Sequence, residues 1–416
     1  PGGMATGAPA AAVAPAPEAT PTAAALAAFG EGVPYGDPAW YTGRPSPYYN
    51  ESHAAWRAKV RAFVEEHIAP HAHEWDENRE IPKELYRKMG AAGVLPGFCG
   101  AFPTGYVPAR MEPPGWDGFH TLIAVDELSR AGSGGVVWGI VGGMGIGLPP
   151  VLRFGSEEMK ARVAPRVLAG EAVICLAITE PMGGSDVANL RTSADKDDAN
   201  KCYVLNGSKK WITNAIFADY IVVAARTGGP GMWGVSLLLV ERNMPGVTCK
   251  KMDCMGVWAS GTTYVEFDNV KVPYENLIGP ENGGFMCIMS NFNHERLGII
   301  FQAVRFARVC LEESFKYAMK RRTFGKRLVD HQVIRHKLAE MARQIEACQA
   351  HMEALVYEMN VLHDRGADLQ EEMAAIGGDT ALLKVQSTKM LEHVAREAAQ
   401  IFGGASYVRG GQGEKV

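Results

Sequence analysis

Nine apolar residues, Ile334, Leu338, Met341, Ile345, Cys348, Met352, Leu355, Met359 and Leu362, recur in unbroken steps of four and three. That alternation lines one stripe of a long helix, and a helix with such a seam must bury it against others. The spacing therefore predicts an antiparallel helical bundle. Upstream, Phe285, Ile288, Phe292, Ile299, Ala303, Ala307 and Leu311 make a second stripe of helical period. Glu295 falls three after Phe292 and four before Ile299, so its carboxylate projects from the face that should be buried. Burial disfavours a charged carboxylate and raises its pKa, which is how a protein makes a general base that works near neutral pH. On this helix alone the commoner role is structural, with Glu295 paired to Arg296 or another cation.

Toward the N-terminus the pattern is also helical. Trp56, Val60, Phe63, Val64 and Ile68 predict a helix that stops at Pro70, and Pro82 opens another with Leu85 and Met89 inward and Gly90 as its stop. Ser156 is placed to cap a helix over 157–168, in which Pro165 predicts a kink or a break. Between them, 134–150 is rich in glycine and apolar residues but does not spell G-x-G-x-x-G. Close helix packing is the first reading of that surface, and a wall for an apolar ligand chain the second.

Near residue 173 the period changes. The runs 172–178, 203–205, 219–225, 235–240 and 262–272 are β-rich, and Asn206-Gly207 and Pro245-Gly246 read as turns. They predict an antiparallel β domain of about 110 residues. The fold class is thus α+β. Its segments are a disordered Ala/Pro-rich tail over 1–45, an N-terminal helical domain over 46–172, a middle β domain over 173–283, and a C-terminal helical bundle over 284–416 that reads as incomplete at its end.

Composition removes some function classes. A net charge of −4 without a basic cluster argues against nucleic acid, and no apolar run long enough for a membrane span is expected. Eight cysteines without a C-x-x-C pair or a Cys/His cluster predict reduced thiols, no metal site and an intracellular protein. A mitochondrial transit sequence is usually Arg-rich, and the first arginine is Arg44, so the tail gives no address and mitochondrial, peroxisomal and cytoplasmic locations stay open.

The turn Thr179-Glu180-Pro181-Met182-Gly183-Gly184-Ser185-Asp186 leaves a strand with two glycines, two hydroxyls and main-chain amides able to meet an anion. It resembles the signature of the acyl-CoA dehydrogenase family. The resemblance continues in register through 210–214, 267–273, 321–326, Gln332 and 400–404, from about residue 50 to the end.

The resemblance implies a three-domain fold holding FAD. It implies that main chain from Leu176 to Ile178, with Thr179, lines the flavin, that Trp211, Ile212 and Thr213 pack against and hydrogen-bond it, and that Ser185 reaches the flavin or the acyl-CoA phosphates. It further implies a homotetramer, a dimer of dimers, in which Arg321 serves the flavin diphosphate of a neighbouring subunit. Gln332, Gln400, Gly403 and Gly404 would lie near the adenosine end. Electron transfer flavoprotein is the implied acceptor.

At Asn293-His294-Glu295-Arg296 the chain resembles the isovaleryl and long-chain branches, which carry the base at this point of the helix. That implies Glu295 removing the α-proton of an acyl-CoA while the flavin takes the β-hydride, with Asn293 and Arg296 bordering substrate. A base in a longer C-terminus is the alternative. A flavin oxidase or monooxygenase, or a non-catalytic flavin-binding module, is the alternative function on the same fold. Met182, Trp258 and Ser406 depart from the family's usual residues and leave the acyl group open.

Overall fold

The computed structural model describes residues 29–415. The tail over 1–28 lies outside the described residues, but its expected continuation to residue 45 is corrected. Trp40 and Tyr41 are buried, and the 30–45 segment is held by Asp37, which accepts from Arg305 and Arg130 at 3.0 Å each. The Tyr41 hydroxyl donates to Glu127 at 2.5 Å. Local composition could not show this, because the partners lie far away in sequence.

The N-terminal helices are α1 (Glu51–His67), α2 (Ala72–Glu77), α3 (Lys83–Ala91), α4 (Gly118–Ser129), α5 (Gly134–Val141), α6 (Met144–Gly147), α7 (Pro149–Phe154) and α8 (Glu157–Leu168). Ser156 caps α8 by accepting from the N–H of Met159, and α8 runs unbroken through Pro165. Helices α1 and α4 are pinned by two interlocked caps. His53 Nε2 and His120 Nδ1 each lie 2.9 Å from Asp117 Oδ1, which also accepts the N–H groups of Phe119 and His120. The three side chains are close enough to invite a metal, yet their lone pairs are committed to helix starts.

By length and hydropathy 134–154 does reach the range of a membrane span, contrary to the expectation from composition. Here it is split into α5, α6 and α7, and 83% of its most apolar window is buried within the protein.

The β domain comprises β1 (Ile174–Ala177), β2 (Ser193–Asp197), β3 (Cys202–Ile212), β4 (Tyr220–Arg226), β5 (Val235–Glu241), β6 (Val247–Lys251), β7 (Thr263–Pro273) and β8 (Leu277–Ile278), ordered β6-β7-β3-β2-β4-β5-β8 with β1 beside β4. It is not wholly antiparallel, since β1 runs parallel to β4. Strands β4 and β5 are buried on both faces: Val222 and Leu239 meet the helical core, Val223 and Leu238 a core internal to the β domain. Asn206-Gly207 is not a hairpin turn. It sits inside β3 at a bulge, where Asn206 accepts from the N–H of Asn269 at 2.8 Å.

Helix α9 (Gly284–Lys320) starts against the sheet, since a Cβ on Gly284 would meet the Ser236 main chain at 2.6 Å. After a short hairpin of β9 (Arg322–Thr323) and β10 (Lys326–Arg327) come α10 (Gln332–Asp364) and α11 (Leu369–Phe402). The α10 seam buries Leu338, Met341, Ile345, Cys348, Met352, Leu355 and Leu362 against α9, α11 and α4.

Candidate active site

The first half of α9 carries Glu295 to a narrow cavity beneath α4, α5 and α6. Apolar walls come from Phe98, Val125, Trp138, Val141, Ile146 and Phe301, and polar atoms from Thr121, His294, Glu295 and Gln302. Burial pushes the Glu295 carboxyl up to about 7, only partly offset by a hydrogen bond from Asn291 Nδ2 at 3.0 Å and by the charge of Arg296. A carboxylate that titrates near neutrality in an apolar cleft can accept a proton and later release it. His294 beside it is driven down to about 4 by burial and by Arg153, so the imidazole is neutral and leaves Glu295 the titrating group at neutral pH.

Not every residue expected around Glu295 is there. Asn293 stands two positions away, on nearly the opposite side of the helix. It is buried facing α11, where a Cβ on Gly377 would lie 3.7 Å from its Nδ2. Its expected role at the substrate border is therefore corrected to helix packing. Arg296 is turned a quarter-turn from Glu295, its guanidinium 5.7 Å from the Phe292 ring centre, and is not a wall of the cavity.

The flavin-facing residues expected from the motifs do gather at one edge of the sheet. Lys210 N–H donates to the Thr179 carbonyl at 2.9 Å, which fastens the turn after β1 to the end of β3. A bulge there sets Lys210 and Trp211 opposite Tyr264 alone. Trp211 takes φ +61°, a strained value for a bulky residue, and its indole is half exposed. Thr179, Leu176 and Ile178 are partly exposed beside it, and Ser185 is exposed. The Ile212 side chain is buried in the β core, leaving only its main chain for a ligand.

Three further residues of this region position the site. The Glu180 carboxylate accepts from the N–H groups of Arg191 and Thr192 at 2.7 and 2.8 Å and from Lys209 Nζ at 2.9 Å. Lys209 also donates to the Ile178 carbonyl at 2.8 Å, so this buried pair fixes the main chain around Thr179. Burial raises the Glu180 carboxyl, but Lys209 and the amides outweigh it and hold it below its ordinary value; Lys209 is brought down by burial to about 8. The third is Trp138, whose Nε1 donates to the Thr213 hydroxyl at 3.0 Å while its ring walls the Glu295 cavity. Trp138 thus joins the sheet edge to the carboxylate. It is the single large aromatic of the glycine-rich run, and that was its only signal in the sequence.

The remaining motif residues lie elsewhere. Arg321 follows the C-terminal end of α9, roughly 40 Å along the axis from Glu295 at 1.5 Å per residue. It lines an open cleft with Lys316, Tyr317, Lys320 and Phe402. Gln332 opens α10, and Gln400, Gly403 and Gly404 close α11, all exposed.

Residues 50–171, 175–270 and 282–416 match the families described as acyl-CoA dehydrogenase N-terminal, middle and C-terminal domains. Acyl-CoA dehydrogenase apdG of Emericella nidulans is 41% identical over 92% of this chain and 88% of its own. Isovaleryl-CoA dehydrogenase of Pongo abelii is 31% identical over 86% and 81%. Among solved structures, an acyl-CoA dehydrogenase from Mycobacterium smegmatis superposes with a TM-score of 0.80 at 36% identity, covering 89% of this chain and 92% of that one. A glutaryl-CoA dehydrogenase from the same organism, in complex with FADH2, gives 0.76 at 27%, covering 88% of each. A chain from the structure titled electron transferring flavoprotein of Acidaminococcus fermentans gives 0.77 at 31%, covering 89% and 92%.

Proposed function

We propose, because this chain belongs to the acyl-CoA dehydrogenase family, that it oxidises an acyl-CoA thioester between its α and β carbons with FAD, Glu295 serving as the base. The observation that carries the reading is a carboxyl poised near pH 7 in an apolar cavity whose wall, Trp138, is hydrogen-bonded to Thr213 at the sheet edge.

The residues at that edge fit a flavin. An isoalloxazine is flat and apolar in its faces and rimmed with hydrogen-bonding atoms. The exposed Trp211 indole offers the face, and the Thr179 and Thr213 hydroxyls and the main chain of Leu176 to Ile178 offer the rim. Because Trp138 occupies a lone pair of the Thr213 oxygen, that hydroxyl keeps its proton free to donate to the ring. Gly183 and Gly184 face open space: a Cβ on Gly184 would touch only Thr179 Cγ2 at 3.8 Å, and phosphate oxygens could approach the turn there. When bound, FAD supplies the hydride acceptor for the β-carbon.

The chain's own residues do the rest. The cavity holds the acyl group dry, so the ionised Glu295 faces the α-hydrogen without competing water. Proton transfer to Glu295 and loss of hydride from the β-carbon leave an α,β-unsaturated acyl-CoA, and the thioester carbonyl stabilises the developing charge. Asn291 keeps the carboxylate oriented toward the cavity. Ser185, exposed at the turn, is placed to meet the acyl-CoA phosphates.

Two further features belong to this reading. The separation of Arg321 from Glu295 is longer than one FAD, so Arg321 and the exposed Phe324 beside it reach the flavin diphosphate of a neighbouring copy in a homotetramer, with Gln332, Gln400, Gly403 and Gly404 near the adenosine end. Electron transfer flavoprotein is the acceptor that reoxidises the enzyme, and the compartment is intracellular. The test is anaerobic addition of straight-chain and branched acyl-CoAs to the FAD-loaded protein. The parent flavin should bleach, and Glu295→Gln should bind the same ligands but reduce about 10²–10⁴-fold more slowly. Reduction of the variant at the parent rate would remove Glu295 as base.

A further inference from the structure

One side chain in the cavity does not belong with its neighbours. Gln302 lies seven residues after Glu295, so it faces the same way about 10 Å further along α9. It is 7% exposed, and its neighbours on the cavity wall are Phe301, Val125 and Val141. A buried amide is costly unless its donors and acceptor are satisfied. Among the described residues Gln302 makes one side-chain hydrogen bond, from Nε2 to the carbonyl of Gly298 at 3.2 Å. The second N–H and the Oε1 lone pairs have no protein partner there, and the side chain borders the cavity.

Across the cavity Thr121 behaves similarly. Its hydroxyl donates to the Gly100 carbonyl at 3.2 Å, leaving the oxygen able to accept. Between Glu295 and Gln302 the wall carries no side chain at Gly298, where a Cβ would come into ordinary contact with Val141 Cγ1 at 3.8 Å. A chain entering past Glu295 therefore runs over Gly298 to an end where hydrogen-bonding capacity waits unfilled.

We infer that Gln302 is a specificity-determining residue, and that the preferred substrate is an acyl-CoA of middling length bearing a neutral hydroxyl far from the thioester. The inference rests on the reading that places the α-carbon at Glu295. A hydroxyl both donates and accepts, which matches an amide with one free N–H and a free carbonyl oxygen, and Thr121 adds a further acceptor. A plain methyl end would leave these groups desolvated and unpaired. A distal carboxylate does not fit, because no cationic side chain lines this cavity.

The test compares matched pairs of acyl-CoAs of six, eight and ten carbons, plain and ω-hydroxylated, on the FAD-loaded enzyme. Two quantities are read: kcat/KM for flavin reduction, and the dissociation constants of the corresponding enoyl-CoA products. In at least one pair the hydroxylated member should be favoured by about tenfold in both. Gln302→Leu should reverse that preference, and Gln302→Met, closer in shape, provides the same reversal should the leucine variant not fold. Preference for the plain chain in every pair, or a preference untouched by either substitution, would overturn the inference. Hydroxyl-favouring dissociation constants without any flavin reduction would support it while removing the dehydrogenation reading.

Discussion

Asn291 donates its side-chain N–H to the Glu295 carboxylate across one turn of α9, Nδ2 to Oε1 at 3.0 Å. A donor to the ionised form favours that form, so this contact opposes the burial that raises the carboxyl. The carboxyl is therefore tuned from two sides. In Asn291→Leu the donor is gone, and the acid limb of the pH profile of kcat/KM should move up by about one unit. The rate well above the limb should change far less. A profile with the parent midpoint would show that Asn291 only packs.

The same carboxyl leaves a mark on stability. Its folded-state value of about 7 stands above the ordinary 4.5, so the native state holds the proton more tightly than the unfolded chain. Below pH 4.5 both states are protonated and there is no penalty. As pH rises from 4.5 toward 7 the unfolded chain ionises first, and the penalty is complete above 7. Glu295→Gln should therefore be stabilising by up to about 3 kcal/mol at pH 8 and nearly neutral at pH 4. Thermal unfolding of both proteins across that range checks the sign.

Helical period places Glu295 on the buried stripe, and the resemblance at Asn293-His294-Glu295-Arg296 makes it the candidate base. The same period argument excludes Asn293. Lying two residues from Glu295, it is grouped with it by a motif, whereas 100° per residue turns it to the opposite face, onto Gly377. The α10 seam was legible for the reason Glu295 was. What stayed hidden depends on partners far apart in the chain: Asp37 on Arg305, Glu180 on Lys209, and Trp138 on Thr213. The Asn206-Gly207 pair misled because a bulge and a hairpin turn ask for the same residues.

Lys209 and Glu180 form a buried pair whose removal should be felt at the cofactor. In Lys209→Met the carboxylate keeps its two main-chain donors but loses its paired cation, a change that costs about 3–5 kcal/mol at buried pairs. The Ile178 carbonyl loses its donor as well, and the Thr179 turn is no longer held. Lower melting temperature and a reduced ratio of flavin to protein absorbance are the expected readings. Adding Glu180→Gln to that variant should recover part of the melting temperature, since the buried charge is then gone.

Arg305 joins the 30–45 segment to the bundle. Wholly buried, it donates to Asp126 through Nε at 2.9 Å and through Nη2 at 2.5 Å, and to Asp37 at 3.0 Å. Arg305→Met strips Asp126 of its forked guanidinium and leaves Asp37 with Arg130, and should destabilise by about 3–5 kcal/mol. Arg305→Lys keeps the charge but cannot make the forked contact, and should fall between the two. Limited proteolysis near residue 44 should quicken in the same order.

Arg321 offers a test of which copies build one site. If Arg321 serves a neighbour's flavin, Glu295→Gln and Arg321→Ala are each inactive alone but damage different sites when mixed. In a mixed pair of subunits, one site receives both lesions and the other neither. Random assortment of the two variants should then recover activity in about a quarter of all sites, because half of the pairs are mixed and each mixed pair has one intact site. Were both residues to serve the site of their own chain, every site in the mixture would carry one lesion and no activity would return. The roughly 40 Å of helix between the two residues favours the first outcome, and co-expression with two affinity tags reads it directly.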